Sequence, residues 1–271
     1  MKTIGIFLRF LVAAVFLCVG VNAAQASLEG DPDASKAASV AREAEQGDAG
    51  AQFTLGRMYL KGQGMPQDYG KAFEWFSKAA AQGNARGQYG LGQMYDTGRG
   101  IPKDNGKAAE WYRKAAEQGD VDAQYCLGWM YEKGQGVPQD YGKAAEWYGK
   151  AAAQGDADAQ NGLGWMYENG YGVPRDYGKA TEWYEKAAAQ GNAYAQCNLG
   201  EMYRHGRGVP RDYGKAFDLL SKAAEQGNAA AQNNLGMMYH YGLGVPRDFK
   251  KAFEWYSKAE EQGDVGALVN L

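Results

Sequence analysis

The stretch Gly119–Gln154, GDVDAQYCLGWMYEKGQGVPQDYGKAAEWYGKAAAQ, is one complete copy of a unit that fills most of the chain. Its opening frame, Gly-Asp/Asn followed by Leu-Gly-x-Met-Tyr, starts at Gly47, Gly83, Gly119, Gly155, Gly191 and Gly227, always 36 residues apart and with no insertion or deletion. A seventh copy opens at Gly263 and stops at Leu271. A fixed period of this length means a stack of identical supersecondary units, each unable to bury its apolar face alone. The period therefore predicts one elongated body in which each unit touches only its neighbours.

Within Gly119–Gln154, Asp120 is placed to cap a helix carrying Ala123, Leu127, Met130 and Tyr131, apolar residues at i, i+4, i+7 and i+8. Gly134 ends that helix, and Pro138 keeps the chain from resuming it. Asp140 caps a second helix with Ala144, Trp147, Tyr148, Ala151 and Ala152, which Gly155 closes. Both helices are predicted at about 13 residues, roughly 20 Å each. Small residues such as Gly128 and Ala144 predict close backbone approach, with Trp147 and Tyr148 filling the gap. Trp75, Trp111, Trp147, Trp183 and Trp255 share one repeat position, replaced by Leu219 in the fifth copy, and this series is expected to be core.

Residues 1–26 read as a cleaved signal peptide. Lys2 supplies the positive start, Phe10–Val21 is an apolar run too short to span a bilayer, and Ala24-Gln25-Ala26 is a small-x-small cleavage site. Leu17 stands where a lipid-anchored cysteine at Cys18 would need a small residue, which disfavours a lipid anchor. Export to the periplasm or beyond is the expectation. Residues 27–35 are expected as a flexible lead-in and 36–46 as a capping half-repeat helix. Six full repeats then run 47–82, 83–118, 119–154, 155–190, 191–226 and 227–262, with a truncated seventh at 263–271. The open C-terminal end is expected to dock as a short helix, or to be covered by a partner or a second copy end to end. Without Lys2 and Arg9 the chain carries 27 basic against 32 acidic residues, which argues against nucleic acid and anionic membrane as partners.

The motifs Ala-x-x-x-Leu-Gly-x-Met-Tyr, Gly-x-Gly-Val-Pro-x-Asp and Lys-Ala-x-x-Trp-Tyr-x-Lys-Ala-Ala resemble the Sel1-like repeat, a relative of the tetratricopeptide repeat. The resemblance covers 47–262 fully. It implies an all-α fold, an α/α superhelical solenoid of helix-turn-helix repeats whose first helices line the concave surface. It also implies adaptors that assemble complexes, with exported bacterial members acting at the envelope or toward host cells. A cysteine-rich subgroup of the family is penicillin-binding and β-lactamase-like, with a disulfide in each repeat. This chain departs from it: beyond the leader it has only Cys126 and Cys197, in different copies, expected to be free thiols.

The positions that change between copies lie on one face of the first helix. Across copies they give Phe53, Tyr89, Tyr125, Asn161, Cys197 and Asn233 at one level, and Arg57, Gln93, Trp129, Trp165, Glu201 and Met237 one turn on. Tyr194 lies on the same face. Exposed aromatics among amides and charges have the composition of a peptide- or protein-binding surface. Trp129 and Trp165 are the expected anchors, flanked by Tyr89, Tyr125, Asn161, Tyr194, Asn233, Glu201 and Met237. The acids Asp122, Asp158, Glu132 and Glu168 point to a partner with basic groups. The competing reading packs Trp129 and Trp165 against the adjacent helix.

No catalytic constellation emerges. No serine of the mature chain begins a Ser-x-x-Lys motif, His205 and His240 lack a clear third metal ligand, and the Gly-x-Gly loops lack the strand and Lys-Ser/Thr of a phosphate cradle. No cofactor is expected. The sequence thus favours an exported interaction scaffold. The alternative, implied only by the cysteine-rich relatives, is a hydrolase of β-lactams or cell-wall fragments.

Overall fold

The computed structural model describes residues 32–270. The expected leader at 1–26 and residues 27–31 of the lead-in lie outside the described residues. Fourteen helices and no strand occupy the described chain. The lead-in expected to reach Ser35 ends earlier, because α1 spans Pro32–Glu45. Proline suits a first helical turn, where its missing N–H has no intrahelical acceptor.

By contacts the chain divides into two compact units, Met1–Gln118 and Gly119–Leu271. The division falls at the start of the third copy.

The first unit holds α1, α2 (Ala49–Lys61), α3 (Tyr69–Ala81), α4 (Ala85–Thr97) and α5 (Asn105–Glu117). The second holds α6 (Val121–Lys133), α7 (Tyr141–Ala153), α8 (Ala157–Asn169), α9 (Tyr177–Ala189), α10 (Ala193–His205), α11 (Tyr213–Glu225), α12 (Ala229–Tyr241), α13 (Phe249–Glu261) and the short α14 (Val265–Asn270). Helices α2 to α13 are each 13 residues long, as the repeat predicts. The even-numbered helices are the first helices of each copy.

The capping follows the sequence. Asp120 accepts the Ala123 N–H at 2.9 Å and Asp140 the Lys143 N–H at 3.0 Å, while Gly134 closes α6 in the left-handed region at φ 68°. Each of the six 13-residue first helices also carries a buried glutamine. In the second unit Gln124, Gln160, Gln196 and Gln232 accept from the amides of Gln154, Gln190, Gln226 and Gln262 at 2.7–2.9 Å. A buried carboxamide without a partner costs about 1–3 kcal/mol, so these pairs fix the helix contact while satisfying the buried acceptors.

The tryptophan series is a correction. Only Trp147, at 9% exposure, is buried, and Trp75, Trp111, Trp183 and Trp255 are half-buried. The innermost side chains belong to the next residue along: Phe76, Tyr112, Tyr148, Tyr184, Leu220 and Tyr256, all at 2% exposure or less. One residue on an α-helix turns about 100°, so only one of two adjacent large side chains faces the neighbouring helix squarely. That one meets the helical glycine. A Cβ on Gly128 would stand 2.7 Å from the Tyr148 ring, and one on Gly164 would stand 2.8 Å from the Tyr184 ring. The half-buried tryptophans are covered by lysine. Lys78, Lys114, Lys150 and Lys186 each place Nζ 3.9 Å from the ring centroid of the Trp three residues before, a cation–π contact. The recurring Lys143 and Lys179 lie over Tyr131 and Tyr167 at 5.2 Å, their stems covering apolar surface.

Candidate functional site

The first-helix face of the second unit carries Trp129, Trp165, Tyr125, Asn161, Tyr194, Asn233, Glu201 and Met237. Tyr89 lies in the first unit. It is half-buried, its ring 5.7 Å from Tyr112. Tyr125 repeats this contact with Tyr148 at 5.7 Å, and burial, reinforced by Asp158, pushes its hydroxyl up to about 12. These two tyrosines lean inward on the buried ring of the second helix. Tyr194 does not: it is 66% exposed.

Trp129, Trp165 and Met237 are half-buried. Trp165 borders the cluster built on Tyr184, Ala180 and Leu199, and its ring tilts against Tyr171 at 5.0 Å. Tyr171, from the loop after α8, in turn stacks on Tyr141 at 4.8 Å with the rings 17° apart. Trp165 therefore combines an internal contact with partial exposure.

Of the acids expected to select a basic partner, two are committed internally. Glu132 is only 9% exposed, accepts the Tyr148 hydroxyl at 2.7 Å and pairs with Lys133 at 2.6 Å. Glu168 accepts the Tyr184 hydroxyl at 2.8 Å and faces Arg207 at 3.7 Å. This corrects their reading as surface specificity residues: the tyrosine that fills the helix contact needs a partner for its O–H, and these carboxylates provide it. Burial and the adjoining carboxylates raise the pKa of both hydroxyls. Glu201 is likewise engaged, gripped by Arg204 through two bonds of 2.7 and 2.6 Å, with His205 at 3.4 Å. Asp122 and Asp158 remain exposed, and Asp158 accepts the Asn192 amide at 2.7 Å. Beside them burial lifts the Asp156 carboxyl above its ordinary value, with Asp158 and Asp122 adding repulsion against the Ala159 hydrogen bond.

The residues that sequence reasoning undervalued are amides one position beyond Asn161 and Asn233. Asn198 on α10 donates to Asn161 on α8 at 3.0 Å, and Asn270 on α14 donates to Asn233 on α12 at 3.0 Å. Between these rungs Asn234 directs its amide at the Cys197 sulfur, 4.0 Å away. The signal was present as a spacing of 37 rather than 36, which joins neighbouring levels of adjacent first helices. Alongside lies an open cavity of about 280 Å³ whose lining includes Tyr194, Asn198, Asn228 and Gln262.

Cys126 is half-buried and Cys197 buried, and neither is in a disulfide. His240 is surrounded by rings, with Tyr241 at 4.6 Å and Phe249 at 5.3 Å. Among the described residues no group of three or more His, Cys, Asp or Glu is placed to hold a metal. No described helix is long and apolar enough to cross a membrane.

The repeat geometry meets a known family at this point. The sequence model of the Sel1 repeat matches residues 49–84, 85–120, 121–156, 157–192, 193–228 and 229–264. The chain belongs to the Sel1 repeat family. Its all-α helix-turn-helix copies place it in the solenoid fold class of Sel1 and tetratricopeptide-like repeats. The family frame begins two residues after the glycine frame, at the first residue of each first helix. Among solved structures, the Escherichia coli protein c5321, a protective antigen of uropathogenic strains displaying an SLR fold, is 43% identical with a TM-score of 0.76. That alignment covers 84% of this chain and 49% of the other, so this Sel1 repeat chain spans about half the length of that relative. A Sel1 repeat protein from Oxalobacter formigenes is 32% identical with a TM-score of 0.74, covering 84% of this chain and 97% of its own. The Cut9–Hcn1 hetero-tetramer of APC/C, at 17% identity and TM-score 0.59, covers 90% of this chain and 46% of that chain and is alike in fold alone. No curated protein matches the chain.

Proposed function

We propose that this Sel1 repeat chain is an exported interaction scaffold that binds a protein or peptide partner along the first-helix face of 119–270. The observation that carries the reading is the division of labour within each copy. Positions that pack repeat against repeat hold the same residue types throughout, whereas the first-helix face changes from copy to copy. That face presents Trp129, Trp165 and the exposed Tyr194, and Tyr194 lines a cavity of about 280 Å³. Aromatic side chains that are only partly covered offer a large apolar area at small conformational cost, the usual make-up of binding hot spots. Trp129 and Trp165 anchor the partner in this reading, and Asp122 and Asp158 favour a basic one.

The Trp129→Ala/Trp165→Ala double variant is expected to reduce partner capture from envelope extract at least tenfold, with helical content by circular dichroism unchanged. Undiminished capture overturns the anchor assignment.

Export is supported by Lys2, the apolar run Phe10–Val21 and Ala24-Gln25-Ala26. The description of the Escherichia coli relative as a protective antigen accords with it. In a bacterial host the full-length gene product is expected in the periplasmic or culture fraction with Ser27 as its first residue by mass spectrometry. An intact Met1 form confined to the cytoplasm overturns this part.

A further inference from the structure

The sixth copy, Gly227–Gln262, departs from the other five at three positions of its second helix, α13. The residue that opens this helix is Tyr69, Tyr141, Tyr177 and Tyr213 in four of them, and Phe249 in the sixth. The next position is glycine in all five others, and Lys250 in the sixth. The last position but one is alanine in all five others, buried or half-buried, and Glu260 in the sixth.

Exposure changes at the same place. Phe73 and Phe217 share a repeat position with Phe253, and each meets edge-on a tyrosine of the next first helix, Tyr95 at 5.8 Å and Tyr239 at 5.5 Å. No such ring covers Phe253 among the described residues, and it is 59% exposed, as is Phe249. The four tyrosine counterparts of Phe249 are half-buried, so the hydroxyl is missing from the most exposed member of the series. Water favours that hydroxyl, whereas an apolar cover does not. Helix α14 lies against α13, but its six residues rise only about 9 Å beside about 20 Å for the thirteen of α13. It buries Ala267 and leaves Val265, Leu268 and Val269 exposed. Single exposed apolar residues are ordinary, but five on two touching helices form a patch.

The charges beside the patch indicate what covers it. With 3.6 residues per turn, Phe249, Phe253 and Glu260 fall within about 40° of one another around α13, and Lys250 flanks them. Among the described residues neither Lys250 nor Glu260 makes an ion pair, whereas the adjacent Lys251 reaches Asp248 at 4.0 Å. The two charges are opposite in sign, and each lies five residues from Trp255. Two copies of α13 packed antiparallel about a twofold axis at Trp255 therefore set each Lys250 level with the partner's Glu260. A twofold contact uses one patch on both subunits, so the patch has to complement itself, and this one does. The other five copies, with glycine and alanine at the two positions, carry no such pair of charges.

We propose that the face of Phe249 and Phe253, with Val265, Leu268 and Val269 beside it, is covered by the same face of a second copy of this chain, α13 running antiparallel to its counterpart and Lys250 pairing with the partner's Glu260. Each of the five side chains exposes on the order of 100 Å², so the pair of copies hides about 1,000 Å² in all, near the lower limit of a specific interface. A concentration-dependent dimer follows, not an obligate one. It carries two first-helix faces, so a partner with two binding segments gains from effective concentration. The pairing does not depend on what that face binds.

Sedimentation equilibrium of residues 27–271 is expected to show reversible conversion of monomer to dimer from about 1 to about 200 µM, the range suited to an interface of this size. Lys250→Glu and Glu260→Lys each set like charges at both contacts, and each alone is expected to weaken the dimer at least tenfold. An equimolar mixture of these two variants has opposite charges at both contacts and is expected to associate within about threefold of the parent. The double variant Lys250→Glu/Glu260→Lys is expected to do the same. Both side chains are exposed, so circular dichroism is expected to stay unchanged. A chain that stays monomeric throughout overturns the proposal. So does a dimer whose strength ignores both charge reversals, or a mixture that fails to associate, because other surfaces then meet. Partner capture by the Trp129→Ala/Trp165→Ala variant tests the first-helix reading separately, so the two can fail independently.

Discussion

Replacing Gly164 by alanine is expected to lower the stability of the protein by about 1–3 kcal/mol, the cost typical of overpacking a filled interior. The direction runs against intrinsic preference. In an open helix the same change stabilises, because alanine is the better helix former by about 1 kcal/mol. Here the added methyl has nowhere to go. Its carbon would stand 2.8 Å from two atoms of the Tyr184 ring and 3.3 Å from the Ala180 carbonyl. The ring cannot yield easily, since Tyr184 is fully buried and its hydroxyl is tied to Glu168 at 2.8 Å. Gly149 gives the matched control. It lies within α7, yet nothing comes within 4 Å of the position its Cβ would take. Gly149→Ala is therefore expected to raise the thermal midpoint while Gly164→Ala lowers it. Thermal melts of the two variants beside the parent decide the matter, and an upward shift for both removes the close-approach account of the repeat glycine.

The same pair of glycines separates what was legible in the sequence from what was not. The period, the caps at Asp120 and Asp140 and the stop at Gly134 are local: each depends on residues a few positions apart, so the chain displays them directly. Which member of Trp147-Tyr148 is innermost is not local. It depends on helix rotation against a partner glycine about 20 residues away, and hydrophobicity alone favoured the wrong residue as well as the right one. The fate of Glu132 and Glu168 followed from that choice. Once the tyrosine, and not the tryptophan, enters the contact, its hydroxyl requires an acceptor sixteen residues earlier. The candidate face was legible as a set of variable positions, including Asn161 and Asn233. The rungs were not, because a strict 36-residue alignment sets Asn161 beside Cys197, whereas the hydrogen bond joins Asn161 to Asn198.

Stability is expected to fall in alkali from about pH 9 upward, with the buried thiol of Cys197 responsible for the first part of the loss. Burial, together with repulsion from Glu201 and only partly offset by Asn234, pushes that thiol from an ordinary 9.0 to about 12. The folded state thus holds its proton more tightly than the unfolded state does. The contribution is whole below pH 9, declines as the unfolded thiol ionises, and is exhausted once pH passes about 12. At about 1.4 kcal/mol per pH unit, the full change is on the order of 4 kcal/mol. Tyr125 and Tyr256, each raised to about 12 chiefly by burial, add to the decline, but only above the ordinary tyrosine value of 10.0. The interval between pH 9 and 10 therefore separates thiol from tyrosine ionisation, and the Cys197→Ala variant picks out this thiol. Urea midpoints at half-unit steps from pH 7 to 11 are expected to stay level to pH 9 and then descend. Cys197→Ala is expected to be less stable throughout, because it leaves a small void, but level to pH 10. The comparison of slopes is what counts, since the packing loss is common to every pH. Equal slopes for parent and variant between pH 9 and 10 would assign the decline to another group and remove Cys197 from the account.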